Sequence, residues 1–375
     1  MLEQFAIKDI KLGKMQYIHL AEMDVKDHIH IVFAIDDNYI QQCAVTMMSI
    51  LSNTNNEYRL NFHILNSGLK SENINKLNTL KNIQYCNINY IDVSKFDLSK
   101  FPQNRKWISA ATYYRLYLAE VLPNNIDKCI YMDCDMIAEE DISILWNYDV
   151  ENYLAGVVED EASVNNNTNL CLNPNDKYFN AGLILFNMKK LREINLVERS
   201  IKYFLENEEK IKLQDQDILN GVLAGKCLYL PLRWNIHTPA YMQEENKHFY
   251  TNLEEREAIL SPAVVHFTGA YKPWLTCSMH PLREEYQKYL ELTNWKEDIA
   301  KYIKQEKKAN VLCIKKNWNL FRIYILGTLV YQVETEGYSF IERIFSLKNS
   351  HDKKYKIVSV LGIKFYFKRN RKCRK

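Results

Sequence analysis

Compact apolar runs separated by polar stretches of helical spacing occupy the first two thirds of the chain. The run at residues 30–35 (HIVFAI) predicts a first strand, and Val45, Met48 and Leu51 then recur at amphipathic-helix spacing. The alternation continues with a strand at 60–65, a polar helix around 71–82, a strand near 84–91 and helical spacing over 109–121. Next comes Ile130-Tyr131-Met132-Asp133-Cys134-Asp135-Met136-Ile137, which predicts a buried strand ending in two carboxylates. Further strands are predicted at 153–158, 181–187, 227–230 and 264–267, with a helix at 216–224. Strands alternating with helices predict an α/β fold on a mainly parallel sheet, with no internal repeat.

The pattern changes after residue 275. Residues 282–309 predict a charged helix, and residues 355–367 alternate until Gly362, which predicts a β-hairpin or two short strands. The expected organisation is an extension over 1–27, a main domain over 28–275, a charged helical segment over 276–309 and a basic, aromatic region over 310–375.

Charge sharpens this division. Residues 301–375 carry 19 Lys/Arg against 5 Asp/Glu, whereas residues 1–300 carry 30 against 41. A basic tail on an acidic body is expected to meet an anionic surface, and Trp318, Phe321 and Tyr324 are candidate interfacial anchors. The body is too acidic for a nucleic-acid binder and carries no such motif. Nine cysteines without a CxxC pair exclude a zinc ribbon, and their odd number fits reduced thiols in the cytoplasm. The N-terminus lacks the apolar core of a signal peptide, and the apolar stretch at 323–333 is about half of the ~20 residues a spanning helix needs. The expected location is therefore cytoplasmic, peripheral on the inner face of the plasma membrane.

The candidate chemistry centres on Asp133 and Asp135. On a strand, residues two apart point to one face, so both carboxylates are expected to converge. Two hard oxygen ligands suit Mn²⁺ or Mg²⁺, a metal that commonly also holds a diphosphate. The ten glycines form neither a dinucleotide fingerprint nor a P-loop, so a diphosphate would rely on metal and side chains. Complementary blocks follow in order: Ala34-Ile35-Asp36-Asp37-Asn38-Tyr39, Tyr113-Tyr114-Arg115-Leu116, Phe179-Asn180-Ala181-Gly182 and Leu213-Gln214-Asp215-Gln216-Asp217. The last, His266-Phe267-Thr268-Gly269-Ala270-Tyr271-Lys272-Pro273-Trp274, offers a nitrogen ligand and a cation.

These blocks, in this order over about residues 29–275, resemble glycosyltransferase family 8, which includes bacterial lipopolysaccharide galactosyl- and glucosyltransferases and is related to glycogenin. The resemblance implies a GT-A fold (Rossmann-like, mainly parallel sheet), here with a C-terminal basic, aromatic, membrane-associating extension. It also implies a UDP-hexose donor, UDP-galactose or UDP-glucose, a Mn²⁺ or Mg²⁺ ion, retention of anomeric configuration, and a glycan or glycolipid acceptor such as lipopolysaccharide or capsule.

Carried over by motif, Asp133, Asp135 and His266 would hold the metal. Ala34, Asp36, Asn38 and Tyr39 would hold uracil and ribose, Ile108 and Ser109 would flank the nucleotide, and Arg115 would contact the sugar and diphosphate. Asn180 and Ala181 would line the sugar, Asp215 would accept from its hydroxyls, Gln216 would face the side opposite the leaving group, and Gly269 and Lys272 would touch the diphosphate. Trp107 departs from the pattern, standing where some relatives carry a polar residue. Three rivals make distinct demands. A haloacid-dehalogenase-type phosphatase wants Thr soon after Asp-x-Asp, and Met136-Ile137-Ala138 stands there instead. A non-catalytic sugar-nucleotide binder has no need of Asp215 or Gln216, and an inverting transferase needs a base that no residue here supplies.

Overall fold

The computed structural model describes residues 27–96, 98, 101, 110–160, 169–170, 172–173, 176–241, 253–269, 272–275, 278 and 280–297, and six strands beyond them. In chain order the strands of the main body are β1 (Asp27–Ala34), β2 (Tyr58–Asn66), β3 (Cys86–Asp92), β4 (Lys128–Met132), β5 (Met136–Ala138), β6 (Ala155–Glu159), β7 (Phe179–Asn187), β8 (Cys227–Tyr229), β9 (Ile236–His237) and β10 (Val264–His266). Seven of them form one sheet in the order β3-β2-β1-β4-β7-β6-β8. Within it β7 runs against both neighbours, and the other pairings are parallel.

Alternation along the strands puts apolar side chains on both faces of this sheet. Ile29, Ile31 and Phe33 of β1 join one core with Ile130 and Met132 of β4, under the helix Ile40–Asn53. Val32, Cys129 and Tyr131 join the opposite core, covered by the helices Leu196–Asn207 and Asp215–Leu223. Double coverage explains why the central strands read as continuous apolar runs rather than as alternating ones. Residues 109–121, expected as one helix, are a 3-10 helix over Ala110–Tyr117 followed by one α turn over Leu118–Val121.

A second, three-stranded sheet, β5-β10-β9, corrects the expected placement of the carboxylates. Asp133 and Asp135 do not extend β4; they lie in the bend between β4 and β5, where the chain passes from the large sheet to the small one. The two carboxylates still converge, through this change of sheet rather than through strand alternation.

The C-terminal strands are β11 (Leu312–Lys316), β12 (Leu320–Ile325), β13 (Thr328–Glu334), β14 (Phe345–Asn349), β15 (Tyr355–Val360) and β16 (Ile363–Lys368). They form two successive antiparallel sheets, β11-β12-β13 and β14-β15-β16. The expected hairpin at 355–367 is thus part of a three-stranded unit, and a second unit of the same order precedes it. The sequence matches Leu326-Gly327 with Leu361-Gly362, a repetition carried by strand pattern more than by residue identity. Trp318 lies outside the described residues, while Phe321 and Tyr324 belong to β12. The charged helix is described over Arg283–Glu291. Among the described residues no helix is long and apolar enough to cross a membrane.

Candidate active site

The small sheet assembles the acidic centre. In β10, His266 pairs antiparallel with Met136, the residue after Asp135, and the Phe267 amide donates to the Asp135 carbonyl at 2.8 Å. This register brings an imidazole 131 residues downstream beside the carboxylates: His266 Nε2 is 3.2 Å from Asp135 Oδ1 and 3.9 Å from Asp133 Oδ2. One ligand atom from each of the three residues lies within 4.8 Å of the others, and among the described residues no other His, Cys, Asp or Glu cluster meets this spacing. Two carboxylates and one imidazole are a donor set that Mn²⁺ accepts. The space beside them is kept open by Gly182, where an added Cβ would lie 2.3 Å from His266 Cε1 and 2.9 Å from Asp133 Oδ2. The residues present therefore fit a divalent metal.

Lys272 completes this half of the site. Its ammonium is bonded to Asp135 Oδ2 and to the Phe267 carbonyl. Burial alone would raise the Asp135 carboxyl, but Lys272 and His266 outweigh it and hold that group well below the usual carboxylate range. Gly269, three residues after His266, sits in the left-handed region at φ 71°.

Arg115 links the acidic centre to a second carboxylate. Antiparallel β7 starts beside the end of β4, and the Asp133 amide donates to the Gly182 carbonyl at 2.7 Å. Into this corner the 3-10 helix delivers Arg115, which is 4% exposed. Its Nη2 donates to Asp133 Oδ1 at 2.7 Å, its Nε lies 3.0 Å from Asp215 Oδ2, and its Nη1 donates to the Ala181 carbonyl at 2.5 Å. The guanidinium also lies over the Tyr131 ring, 4.3 Å from its centroid. Burial alone would lower Arg115, yet Asp133 and Asp215 hold it above its ordinary range. Burial pushes the Asp215 carboxyl up, against the pull of Arg115 and of the Thr112 hydroxyl, which donates to Asp215 Oδ1 at 2.6 Å.

Gln216 is held at both ends of its amide. Its Oε1 accepts from Asn180 Nδ2 at 3.1 Å and from the Ala181 amide at 3.0 Å, and its Nε2 donates to Asp160 Oδ2 and to the Tyr178 hydroxyl, each at 3.3 Å. Asp217 steadies the chain before this helix, its Oδ2 accepting from the Lys212 and Leu213 amides and its Oδ1 from Tyr178. Asp215, Gln216, Asn180, Ala181 and Arg115 thus form one connected group, joined to the acidic centre through Asp133.

Ala34 ends β1, and the turn after it carries Asp36, Asn38 and Tyr39. Asp36 Oδ1 accepts from the Asn38 amide at 2.9 Å, an Asx turn that shapes the loop. Tyr39 stands edge-on to Trp274 at 6.3 Å, and burial first, then Asp135, pushes its hydroxyl up, which puts this turn beside the acidic centre. Asp37 points elsewhere, to the Lys70 amide and Asn73. Ile108, Ser109 and Trp107 lie outside the described residues.

Sequence reasoning passed over Thr46, Thr112, Asp160 and Asn235. Thr46 Oγ1 lies 2.9 Å from the Cys134 carbonyl and 2.8 Å from that of Met136, so it clasps the carboxylate bend from the helix Ile40–Asn53. Thr112 stands one 3-10 turn before Arg115, the one available signal. Asp160 and Asn235 have no distinctive spacing in the sequence.

Residues 30–278 match the family model described as Glycosyl transferase family 8. General stress protein A of Bacillus subtilis (strain 168) is 31% identical over 277 residues, covering 72% of this chain and 96% of that protein. Lipopolysaccharide 1,2-glucosyltransferase of Escherichia coli (strain K12) is 27% identical over 302 residues, covering 79% and 88%. The structure of galactosyltransferase LgtC in complex with donor and acceptor sugar analogs is similar at 29% identity and a TM-score of 0.63, covering 71% of this chain and 96% of that one.

Proposed function

The chain belongs to glycosyl transferase family 8, and on that premise we propose that it moves galactose or glucose from UDP to a surface-glycan acceptor with retention of configuration. The observation that carries this reading is the convergence of Asp133, Asp135 and His266 on one point, with the Lys272 ammonium against it. The names of the E. coli relative and of LgtC support a hexose donor and an acceptor of lipopolysaccharide type.

Asp133, Asp135 and His266 would hold Mn²⁺ or Mg²⁺. When bound, the ion supplies Lewis-acid stabilisation of the diphosphate leaving group. Lys272 and Gly269 face the same diphosphate, and the ammonium neutralises charge as it develops on UDP. Ala34, Asp36, Asn38 and Tyr39 hold uracil and ribose, with Ile108 and Ser109 on the flank. Asn180 and Ala181 line the sugar, and Arg115 bridges Asp133 and Asp215 beside it.

Retention follows most simply from front-face substitution. The acceptor hydroxyl attacks the anomeric carbon on the side that UDP leaves; the carbon–oxygen bond to phosphate breaks, and the hydroxyl proton passes to the departing diphosphate oxygen. A covalent route needs a free carboxylate beneath the sugar. Both Asp215 oxygens are engaged, by Thr112 and by Arg115, and the Gln216 amide is engaged at both ends, which supports the front-face reading. Mass spectrometry that traps a glycosylated Asp215 during turnover would overturn it.

The basic C-terminal region would keep the enzyme peripheral on the anionic inner face of the plasma membrane, where lipid-linked acceptors lie. Deletion beyond residue 300 is expected to abolish cosedimentation with anionic liposomes at low salt.

The deciding experiment is a calorimetric titration of UDP with and without Mn²⁺, on the wild type and on Asp135→Asn. Manganese-dependent binding that the substitution removes is the expected result. A folded wild type that binds no UDP with Mn²⁺ present rejects the transferase reading.

A further inference from the structure

Asn235 ends the 3-10 turn Leu232–Asn235 immediately before β9, and it is 2% exposed. Its side-chain amide lies between two parts of the site. Its Oδ1 meets His266 Nδ1 at 3.0 Å, and its Nδ2 meets Asn180 Oδ1 at 3.0 Å.

The direction of every bond in this chain is set by two backbone amides. Gly182 N–H donates to Asn180 Oδ1 at 2.9 Å, so that oxygen is an acceptor. Asn235 Nδ2 is then the second donor to it, which leaves Asn235 Oδ1 to accept from His266 Nδ1. The proton of a neutral His266 ring is thereby assigned to Nδ1, and the Nε2 lone pair faces Asp135 and Asp133. On the other arm, Ala181 N–H donates to Gln216 Oε1, so Asn180 Nδ2 is the donor to that oxygen, and Gln216 Nε2 is turned to Asp160 and Tyr178.

We propose that Asn235 is a positioning residue that locks His266 in the tautomer offering Nε2 to the metal and ties that ligand, through Asn180, to Gln216. The inference rests on the metal–diphosphate reading above. A buried polar chain with every member paired holds its parts in one arrangement, whereas a chain broken at one link leaves its remaining members unpaired. Because the directions originate in the β7 backbone, the strand that lines the sugar also decides which imidazole nitrogen meets the metal.

Two substitutions separate the two arms. Asn235→Asp keeps an acceptor for His266 Nδ1 but has no donor for Asn180 Oδ1. Asn235→Leu removes both. Each variant is measured for Mn²⁺-dependent UDP binding by calorimetry, for UDP release from UDP-glucose and UDP-galactose, and for thermal unfolding without metal. Asn235→Asp is expected to bind Mn²⁺–UDP within about threefold of wild type while kcat falls at least about tenfold. Asn235→Leu is expected to lose about 10–100-fold in Mn²⁺ affinity, the usual cost of removing the partner of a metal-ligating histidine. Wild-type affinity in Asn235→Leu, or equal losses of affinity and turnover in Asn235→Asp, overturns the inference. Should Asn235→Leu not fold, the split between affinity and turnover in Asn235→Asp still decides. A wild type without Mn²⁺-dependent UDP binding rejects the parent reading instead, so the two failures are distinct.

Discussion

Lys272 donates its ammonium to Asp135 Oδ2, joining the loop after β10 to the bend after β4 across 137 residues of chain. The same ammonium also reaches the Phe267 carbonyl. Lysine is a compact point charge on a flexible stem, able to serve a carboxylate or a phosphate without rebuilding its surroundings.

Lys272→Met keeps the stem and removes that charge. UDP binding with Mn²⁺ is expected to weaken about tenfold and kcat to fall about a hundredfold, as when one preorganised donor to a developing oxyanion is lost. Calorimetry and steady-state kinetics on the same preparation check both, and unchanged kcat places Lys272 outside the diphosphate site.

Gly182→Ala tests the open space of the acidic centre. The new methyl would lie 2.3 Å from His266 Cε1, closer than any van der Waals contact allows, so the imidazole must move. Mn²⁺-dependent UDP affinity is expected to drop by at least about tenfold while the circular dichroism spectrum is retained. Full affinity in the variant would mean that His266 is not a ligand.

Arg115→Met leaves the buried Asp215 and the partly buried Asp133 without their shared cation. Loss of one partner from such a cluster costs about 3–5 kcal/mol, measurable by urea unfolding. The expected loss is larger than that of Lys272→Met, because Arg115 is 5% exposed and serves two carboxylates, whereas Lys272 is 18% exposed and serves one.

The histidine pair His30–His63 sets a pH dependence of stability away from the site. Burial, and then neighbouring His30, pushes His63 down to about 4, against an ordinary value near 6.5. Between those values the unfolded chain takes up a proton that the folded chain refuses. Stability is therefore complete above about pH 6.5 and falls as pH drops towards 4, by up to about 3 kcal/mol. His63→Gln is expected to flatten that part of the curve in unfolding measured from pH 7 to pH 4.5. An identical slope in wild type and variant rejects the assignment.

Much of the site was legible because its chemistry-bearing residues cluster in short blocks beside apolar runs. Asp133 and Asp135 are marked by the strand before them, and Arg115, Asp215 and Gln216 by helical spacing. The expected parallel sheet is present, and so are most of the predicted strands, β5 and β9 excepted. Those two are so short (three and two residues) that no alternation can develop within them. They nevertheless carry the carboxylate bend and the approach of Asn235 to the site. Of the two C-terminal three-stranded units only the hairpin β15–β16 was expected, since the likeness between the units lies in strand order more than in repeated residues.

Read alone, the chain determined most elements of the large sheet, which residue types are available and that two hard carboxylates need a positive partner, because these depend on local periodicity and on side-chain chemistry. Tertiary structure decided who stands beside whom. The register of β10 on β5 brought His266 to Asp135, the reversed direction of β7 put Gly182 against Asp133, and Asn235 joined His266 to Asn180. Hydrogen-bond direction across a buried site depends on groups that are distant in sequence and fixed only when their strands pair, so no linear pattern carries it.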